Sequence, residues 1–271
     1  MSTTTTKAVI LARGLGTRMR KADDGASLDA AQTAVADAGV KAMIPIGRPF
    51  LDYLISALAD AGFTDVCVVI GPEHGIVREH YADGSAPARR VRIHFAIQPD
   101  PLGTANAVLA AEAFAAGEPF AVINSDNYYP VSALAELHRR PAPLIVGFET
   151  HALVDMGNVP AERIGRFGAL DIATDGTLRR ILAAATDDMA RGEIFASLNC
   201  WSFTSSIFTA CREVPWSVRG EFELPQAVQL AIDRFGMRIE VVRVHAAVLD
   251  MSSRADIASV ARHLEGVRVE L

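Results

Sequence analysis

The sequence predicts an α/β fold: a Rossmann-like, doubly wound and mostly parallel central sheet with helices on both faces. Three observations carry that expectation. Short β-rich runs alternate with helical stretches through the first half of the chain. A glycine-containing loop follows the first of those runs directly. The chain has 271 residues, 50% of them hydrophobic, which is enough to bury one large core.

The elements follow in order. Residues 8–11 read as the first strand. Residues 50–61 carry Leu51, Leu54, Ile55 and Leu58 at helical spacing, and Gly62 is a fitting stop. Residues 66–70 form the next strand, ended by Gly71-Pro72. Residues 73–81 are expected to be helical and 91–97 extended. Residues 104–116 read as an Ala-rich helix closed by Gly117, and 120–124 as a further strand. This β-α-β rhythm calls for parallel strands joined by crossover helices.

The second half is less regular. Residues 144–150, 168–173, 178–182 and 194–203 read as strands, with a hairpin signal at Asp175-Gly176. Residues 225–235 form a helix with Pro at its start and Gly236 after it. Residues 238–244 are a late strand, and Ser252 or Ser253 caps a last helix running to His263. No linker or repeat divides the chain, so residues 1–271 read as one domain. The polar, Ala-rich stretch 25–39 reads as an insertion near the first loop, and as a candidate mobile lid.

Composition narrows the function. A net charge of -6 and a pI near 5.7 argue against a nucleic-acid surface. The three cysteines, Cys67, Cys200 and Cys211, lack metal-ligand spacing and read as reduced thiols. The polar start has no apolar leader region, and no apolar run reaches membrane-spanning length. A cytoplasmic protein without a membrane partner is expected.

The segment Leu11-Ala12-Arg13-Gly14-Leu15-Gly16-Thr17-Arg18-Met19 carries most of the chemistry. Two glycines let a backbone turn tightly and approach a ligand. Such a loop at a strand's C-terminal end can aim N–H groups at phosphate oxygens. Arg18 and Lys41 can then supply positive charge. The spacing matches neither the dinucleotide fingerprint nor a P-loop. By itself the loop is equally an ordinary turn with surface arginines.

Two later segments add to it. In Gln98-Pro99-Asp100-Pro101-Leu102-Gly103-Thr104 the Gln98 amide suits a pyrimidine edge. Gly103 permits close approach, and Thr104 can cap the following helix. In Asn124-Ser125-Asp126-Asn127-Tyr128-Tyr129, the Asp126 carboxylate ends an apolar strand. That is a suitable place for Mg²⁺, which takes oxygen ligands and bridges phosphates.

These segments together resemble the sugar-1-phosphate nucleotidyltransferase family, the NDP-sugar pyrophosphorylases. The first resembles L-A-A-G-x-G-T-R-M. Lys41-Ala42-Met43-Ile44-Pro45 is similar to its K-P-x-x-P element. Gly47-Arg48-Pro49-Phe50-Leu51 resembles its G-x-P-L-I helix entry, the Gln98 segment its Q-x-x-P-x-G-T-A-x-A, and Asp126-Asn127 its G-D-N. Val248-Leu249-Asp250-Met251 and the residues after it resemble the family's late acidic run. The resemblance implies the nucleotide-diphospho-sugar transferase type of fold. Residues 7–150 would be a nucleotide-binding half and 151–271 an acceptor-binding half.

The implied reaction is Mg²⁺-dependent transfer of NMP from an NTP, UTP or dTTP favoured, to a sugar-1-phosphate, with release of pyrophosphate. Arg18, Lys41 and Asp126 would be catalytic. Leu11, Ala12, Gly14, Gly16, Thr17, Gln98, Gly103 and Thr104 would bind the nucleotide. Asp126 and Asp250 would hold Mg²⁺, and Gly168 and Asn199 would contact the sugar. Homo-oligomers are common in the family, so self-association is compatible with the resemblance.

There are departures. Arg13 stands where Ala or Gly is usual, and either crowds the nucleotide or adds a phosphate contact. Lys41 comes 23 positions after Arg18, a gap that the 25–39 insertion explains. Trp201 replaces the glycine of an N-x-G segment. The Glu-Lys acceptor element is absent, and residues 181–186 are neutral. Arg163, Arg166, Arg179 and Arg180 are available for a phosphate, with nothing to choose among them. Glu221 and Glu223 either contact a hydroxyl or are plain helix-start charges. A cyclitol or other non-hexose phosphate is therefore an alternative acceptor, and a non-catalytic binding regulator an alternative role.

Overall fold

A computed structural model describes residues 4–23, 25–82, 89–183 and 193–271. The strands are β1 (Lys7–Leu11), β2 (Pro45–Ile46), β3 (Arg48–Pro49), β4 (Asp65–Ile70), β5 (Arg92–Ile97), β6 (Phe120–Asn124), β7 (Asn127–Tyr128), β8 (Leu144–Glu149), β9 (Gly168–Ile172), β10 (Leu178–Leu182), β11 (Phe195–Phe203), β12 (Glu240–Val244) and β13 (Leu249–Asp250). The helices are α1 (Thr17–Arg20), α2 (Ala30–Ala38), α3 (Phe50–Asp60), α4 (Gly75–Ala82), α5 (Thr104–Ala110), α6 (Glu112–Ala115), α7 (Val131–Arg139), α8 (Thr150–Asp155), α9 (Ala161–Ile164), α10 (Ile207–Glu213), α11 (Leu224–Phe235) and α12 (Arg254–His263).

Strands β5, β4, β1 and β6 lie side by side and parallel. The whole of β4 is buried, as befits a strand covered by helices on both faces. β11 continues the sheet antiparallel to β6, and β8 and β12 follow beyond it. The hairpin β9–β10 hangs on the first half of β11. One nine-stranded sheet therefore draws on both halves of the chain. Within it β11 and β10 run against the other strands.

Two apolar layers cover the sheet. One contains α3, whose Phe50, Leu51, Leu54, Ile55 and Leu58 are buried against the sheet together with Leu134 and Leu137 of α7. The other contains α5, α10 and α11, packed on Phe120, Trp201 and Phe203. Burying one such side chain contributes roughly 1.5–3 kcal/mol. The two layers are the reason the helical and strand periodicities could be read from sequence.

Some expectations are corrected. The expected 104–116 helix breaks at Ala111 into α5 and α6. Thr104 does not cap it: Gly103 is the cap residue, and the Thr104 hydroxyl accepts from Leu224 N at 2.8 Å. It thereby satisfies a first-turn N–H of α11, a group that a helix leaves unpaired. Helices α7 and α10 are short and were not among the elements expected from the sequence.

The insertion carries a helix, α2, that packs beside the first loop as expected. Asp29 and Gln32 form a capping box at the start of α2, and Gly39 ends it in the left-handed region. Gln32 Nε2 donates to Pro45 O at 3.0 Å. Arg254, 8% exposed, donates from Nε to Met19 O at 2.8 Å and pairs with Asp37. The last helix thus pins both the first loop and the insertion. Of the neutral acceptor-side stretch 181–186, residues 184–186 lie outside the described residues.

Gly16 (φ 61°) packs directly on Gly39, where an added Cβ would sit 2.2 Å from Gly39 O. Gly16→Ala is expected to lower stability by about 2 kcal/mol or more, because left-handed strain and a backbone clash coincide. Urea unfolding monitored by circular dichroism checks this. Burial pushes the Cys67 and Cys211 thiols up to about 12, and Cys200 higher still. Native protein at pH 8 is therefore expected to resist Ellman's reagent, with labelling appearing only on unfolding.

Candidate active site

The first cavity opens at the C-terminal ends of β1, β5 and β6, and its volume is about 350 Å³. Its wall includes Leu11, Ala12, Gly14, Gly16 and Thr17 from the first loop, with Lys41, Gln98, Gly103, Thr104 and Asp126. Residues from four separate sequence segments thus meet in one place. Gly14 faces open space, so a ligand can approach its backbone. Arg18 sits one residue past the wall on α1; it is exposed and has no partner among the described residues.

Lys41 Nζ lies 2.9 Å from Asp126 Oδ2, both groups partly exposed to the cavity. The ammonium holds one carboxylate oxygen and leaves the other for a cation. Gln98, 2% exposed, donates from Nε2 to Gly103 O at 3.1 Å and to Asn106 Oδ1 at 2.8 Å. A backbone carbonyl can only accept, so this bond fixes the orientation of the amide. Both N–H groups are committed, and only Oε1 is left to meet a base. Gln98 is thus a brace for the loop as well as a reader.

Arg13 also lines the first cavity, and most of its guanidinium is engaged by neighbouring protein groups. Its guanidinium is buried, donates from Nε to Gln98 O at 3.2 Å and from Nη2 to Pro99 O at 3.5 Å. Nη1 lies 2.8 Å from Glu73 Oε1, with no N–H aligned on that oxygen. The side chain passes over Gly71, where a Cβ would come within 2.5 Å of Arg13 Nε. It ties the ends of β1, β4 and β5 together.

The second carboxylate arrives by a short ladder. β13 pairs antiparallel with β7, Asp250 opposite Asn127, and Met251 N donates to Asp126 O at 2.8 Å. Asp250 is 4% exposed and is not part of the cavity wall. Its Oδ2 accepts from Arg163 Nη1 at 2.8 Å. Its Oδ1 accepts from Asn127 Nδ2 at 3.3 Å and Ser252 Oγ at 2.9 Å. Burial first, and then the charge of Asp126, raise the Asp250 carboxyl above the usual carboxylate range, with Ser252 and Arg163 opposing.

That mutual repulsion is the observation that fits a divalent cation. Among the described residues no group of three or more His, Cys, Asp or Glu can hold a metal. Two carboxylates would be the protein's share of a Mg²⁺ site, the remaining positions falling to phosphate oxygens and water, as that ion prefers. Asp256, the other partner of Arg163 at 2.9 Å, is instead part of the α12 capping box.

A second cavity of about 490 Å³ lies between the β9–β10 hairpin, β11 and the start of α11. Gly168 and Asn199 both line it, as expected, and Asn199 and Asn124 line the first cavity too. Gly168 is also demanded by packing, since a Cβ there would be 2.3 Å from Ile181 Cγ2. The four candidate arginines now separate. Arg163 is spent on Asp250 and Asp256, and Arg179 and Arg180 pair with Asp171. Arg166 lines the cavity, exposed and without a partner among the described residues.

Glu221 reaches the first cavity and Glu223 the second. Their loop is bonded to the base-side loop: Phe222 N donates to Leu102 O at 2.8 Å, and Ala105 N to Phe222 O at 2.9 Å. Asn124 and Arg219 are lining residues that sequence reasoning missed. Asn124 lay inside a recognised motif, as a polar residue closing an apolar strand, and that was the available signal.

Comparison with known proteins agrees with this architecture. Residues 7–183 match the model of the nucleotidyl transferase family, and the chain belongs to that family. It is 28% identical over 263 residues to a glucose-1-phosphate thymidylyltransferase of Streptomyces antibioticus, across 94% of this chain and 65% of that enzyme. It is 27% identical to a UTP–glucose-1-phosphate uridylyltransferase of Haloferax volcanii, across 92% of this chain and 93% of the other. The chain thus spans just under two thirds of the first relative and nearly all of the second. The fold matches a UTP-bound UGPase from Acinetobacter baumannii with a TM-score of 0.74 at 18% identity, covering 98% and 95% of the two chains. It also matches a UDP-glucose pyrophosphorylase complexed with UDP-glucose, TM-score 0.72 at 17% identity, covering 97% and 100%.

The raised Asp250 carboxyl has a consequence for stability. A carboxyl raised in the fold binds its proton there first, so its contribution is most favourable below the ordinary carboxylate range. That contribution declines as pH rises through the folded-state value. A cation beside the ionised pair offsets the loss. Mg²⁺ is therefore expected to raise Tm more at pH 7 than at pH 4, and Asp250→Asn to reduce the pH 7 increment. Differential scanning fluorimetry with Mg²⁺ and with EDTA measures both.

Proposed function

We propose that the protein transfers a nucleoside monophosphate from UTP or dTTP to a sugar-1-phosphate and releases pyrophosphate. One observation carries the reading. The cavity holding Lys41 and Asp126 shares Asn124 and Asn199 with the cavity holding Arg166. Two phosphorylated ligands can therefore meet at a common wall.

In the proposed reaction a phosphate oxygen of the acceptor attacks the α-phosphorus of the NTP. The bond from that phosphorus to the bridging oxygen of the β-phosphate breaks, and pyrophosphate leaves. No proton needs to move, since the attacking oxygen is already ionised. The main tasks are alignment and charge neutralisation. Lys41 and Arg18 offset the charge of the departing pyrophosphate, Lys41 from the cavity wall and Arg18 with a long side chain at its edge. Asp126 and Asp250 would hold Mg²⁺, which supplies charge neutralisation at the α-phosphate. Gly14 and Gly16 let the nucleotide approach the backbone.

The base preference follows from Gln98. Its free Oε1 can accept from N3–H of uracil or thymine, whereas N3 of cytosine offers only a lone pair. UTP and dTTP are thus expected to exceed CTP about 100-fold in kcat/KM, since a site built for a donor rejects a base lacking it. The apolar wall of the second cavity, Phe167, Ile181 and Leu182, favours as a second reading an acceptor other than an ordinary hexose phosphate.

The test is pyrophosphate release with Mg²⁺ over UTP, dTTP, CTP, GTP and ATP against sugar-1-phosphates and cyclitol phosphates. Lys41→Met is expected to lower kcat about 100-fold through lost charge stabilisation. Release that persists unchanged in both Lys41→Met and Asp126→Ala would contradict the assignment.

A further inference from the structure

The two cavities meet at a chain of side-chain hydrogen bonds that runs in one direction. Trp201 Nε1 donates to Asn199 Oδ1 at 3.2 Å. Asn199 Nδ2 donates to Asn124 Oδ1 at 3.4 Å, and Asn124 Nδ2 to Asn127 Oδ1 at 3.5 Å. Asn127 Nδ2 then donates to Asp250 Oδ1 at 3.3 Å. An indole N–H can only donate and a carboxylate can only accept, so the two ends together fix how each amide points. Every link is long, and the aligned polarity is what lets the links support one another.

The backbone is shaped to hold this chain. Asn199 adopts φ 54°, one of two non-glycine residues among the described ones in the left-handed region. It lies in the register shift of β11 between Ser197 and Trp201. A bulge of this kind re-aims a side chain, here to the point where β11 leaves β9 for β6. Tyr129 fastens both sides of that point. Its hydroxyl donates to Leu198 O at 2.6 Å and accepts from Asn124 N at 3.2 Å. Trp201 itself is fully buried and stacks on Phe203, ring centroids 5.3 Å apart.

With the chain in place, each amide nitrogen of Asn124 and Asn199 has used one N–H and keeps a second. Both residues line both cavities. The common wall therefore offers donors, which suit the oxygens of an anion and not the cation side of the site. We propose that Asn124 and Asn199 bind the phosphate of the acceptor at the junction of the cavities, and that Trp201 is a positioning residue that acts through Asn199. Breaking the indole bond frees the Asn199 amide to rotate and removes the constraint that keeps its N–H groups toward the junction. The assignment of that phosphate to an acceptor rests on the proposed transferase reading; the anion site itself does not.

Three variants test it. Trp201→Phe keeps an aromatic ring for Phe203 and deletes the donor, together with part of the buried ring volume. Asn199→Gly suits the left-handed backbone and deletes the amide. Asn124→Asp replaces donors by a charge that repels phosphate. With α-D-glucose-1-phosphate and UTP, Trp201→Phe is expected to raise the acceptor KM about tenfold, the loss of about one well-made hydrogen bond, and to leave the UTP KM within about twofold. Asn199→Gly is expected to match it or exceed it, and Asn124→Asp to abolish acceptor saturation while UTP still binds. An acceptor KM unchanged in Trp201→Phe, or raised in step with the UTP KM, overturns the proposal. Should Trp201→Phe lose its native circular dichroism, the other two variants decide by the same split. Calorimetric titration with inorganic phosphate in the presence of UTP separates this inference from the transferase reading. If wild-type protein turns over no acceptor, that reading falls, and the anion site is still judged: phosphate binding lost in Asn124→Asp supports it, and equal binding in wild type and variant refutes it.

Discussion

Strand β11 changes neighbour along one of its two edges. β8 follows one edge throughout, and the other edge is divided between β9 and β6. The division falls at the left-handed Asn199. Where the ladder changes partner, backbone groups part and a gap opens between the end of β6 and the start of β9. The second cavity occupies that gap, and its wall is the wall of the first. The two-ligand site thus depends on a single irregularity in the sheet.

Charge is distributed with similar economy. A chain of net charge -6 must present positive groups locally to hold phosphates. Lys41 and Arg166 place positive charge at the two cavities, whereas Arg13 is buried and Arg163 half-buried in ion pairs. Guanidinium groups shielded from solvent are retained where several acceptors converge on their planar fork. Arg13 meets two backbone carbonyls and a glutamate, and Arg163 meets two aspartates. In both cases the arginine sets the position of a loop that carries site residues.

Much of the site was legible in short motifs. Leu11 to Thr17, Lys41, Gln98, Gly103 and Asp126 were each marked by residue type at a strand end, and they converge on one cavity. Loops at the ends of parallel strands are brought together by the sheet itself, so their order along the chain suffices. Legibility was lost where function depends on side-chain direction. Thr104 read as a helix cap and instead serves α11, and the Gln98 amide, read for a base edge, also braces its own loop. The stretch 25–39 read as an insertion near the first loop, but its polar, Ala-rich pattern carries no trace of the Arg254–Asp37 pair that fastens it, whose partners are far apart in sequence.

The sequence by itself determined the α/β class, the positions of nearly all the long elements and the glycine loop that lines the first cavity. Those features follow from local periodicity, turn residues and spacing within a few positions. Tertiary structure alone decided that Arg166 and Arg219 face the second cavity, and that Asp250 reaches Asp126 through the β7–β13 ladder. It also decided that Asn124 and Asn199 stand at a common wall under the control of Trp201. These are contacts between residues tens of positions apart, or orientations set by a bulge. They are selected by how the layers pack, and packing is a property of the whole chain that no local pattern records.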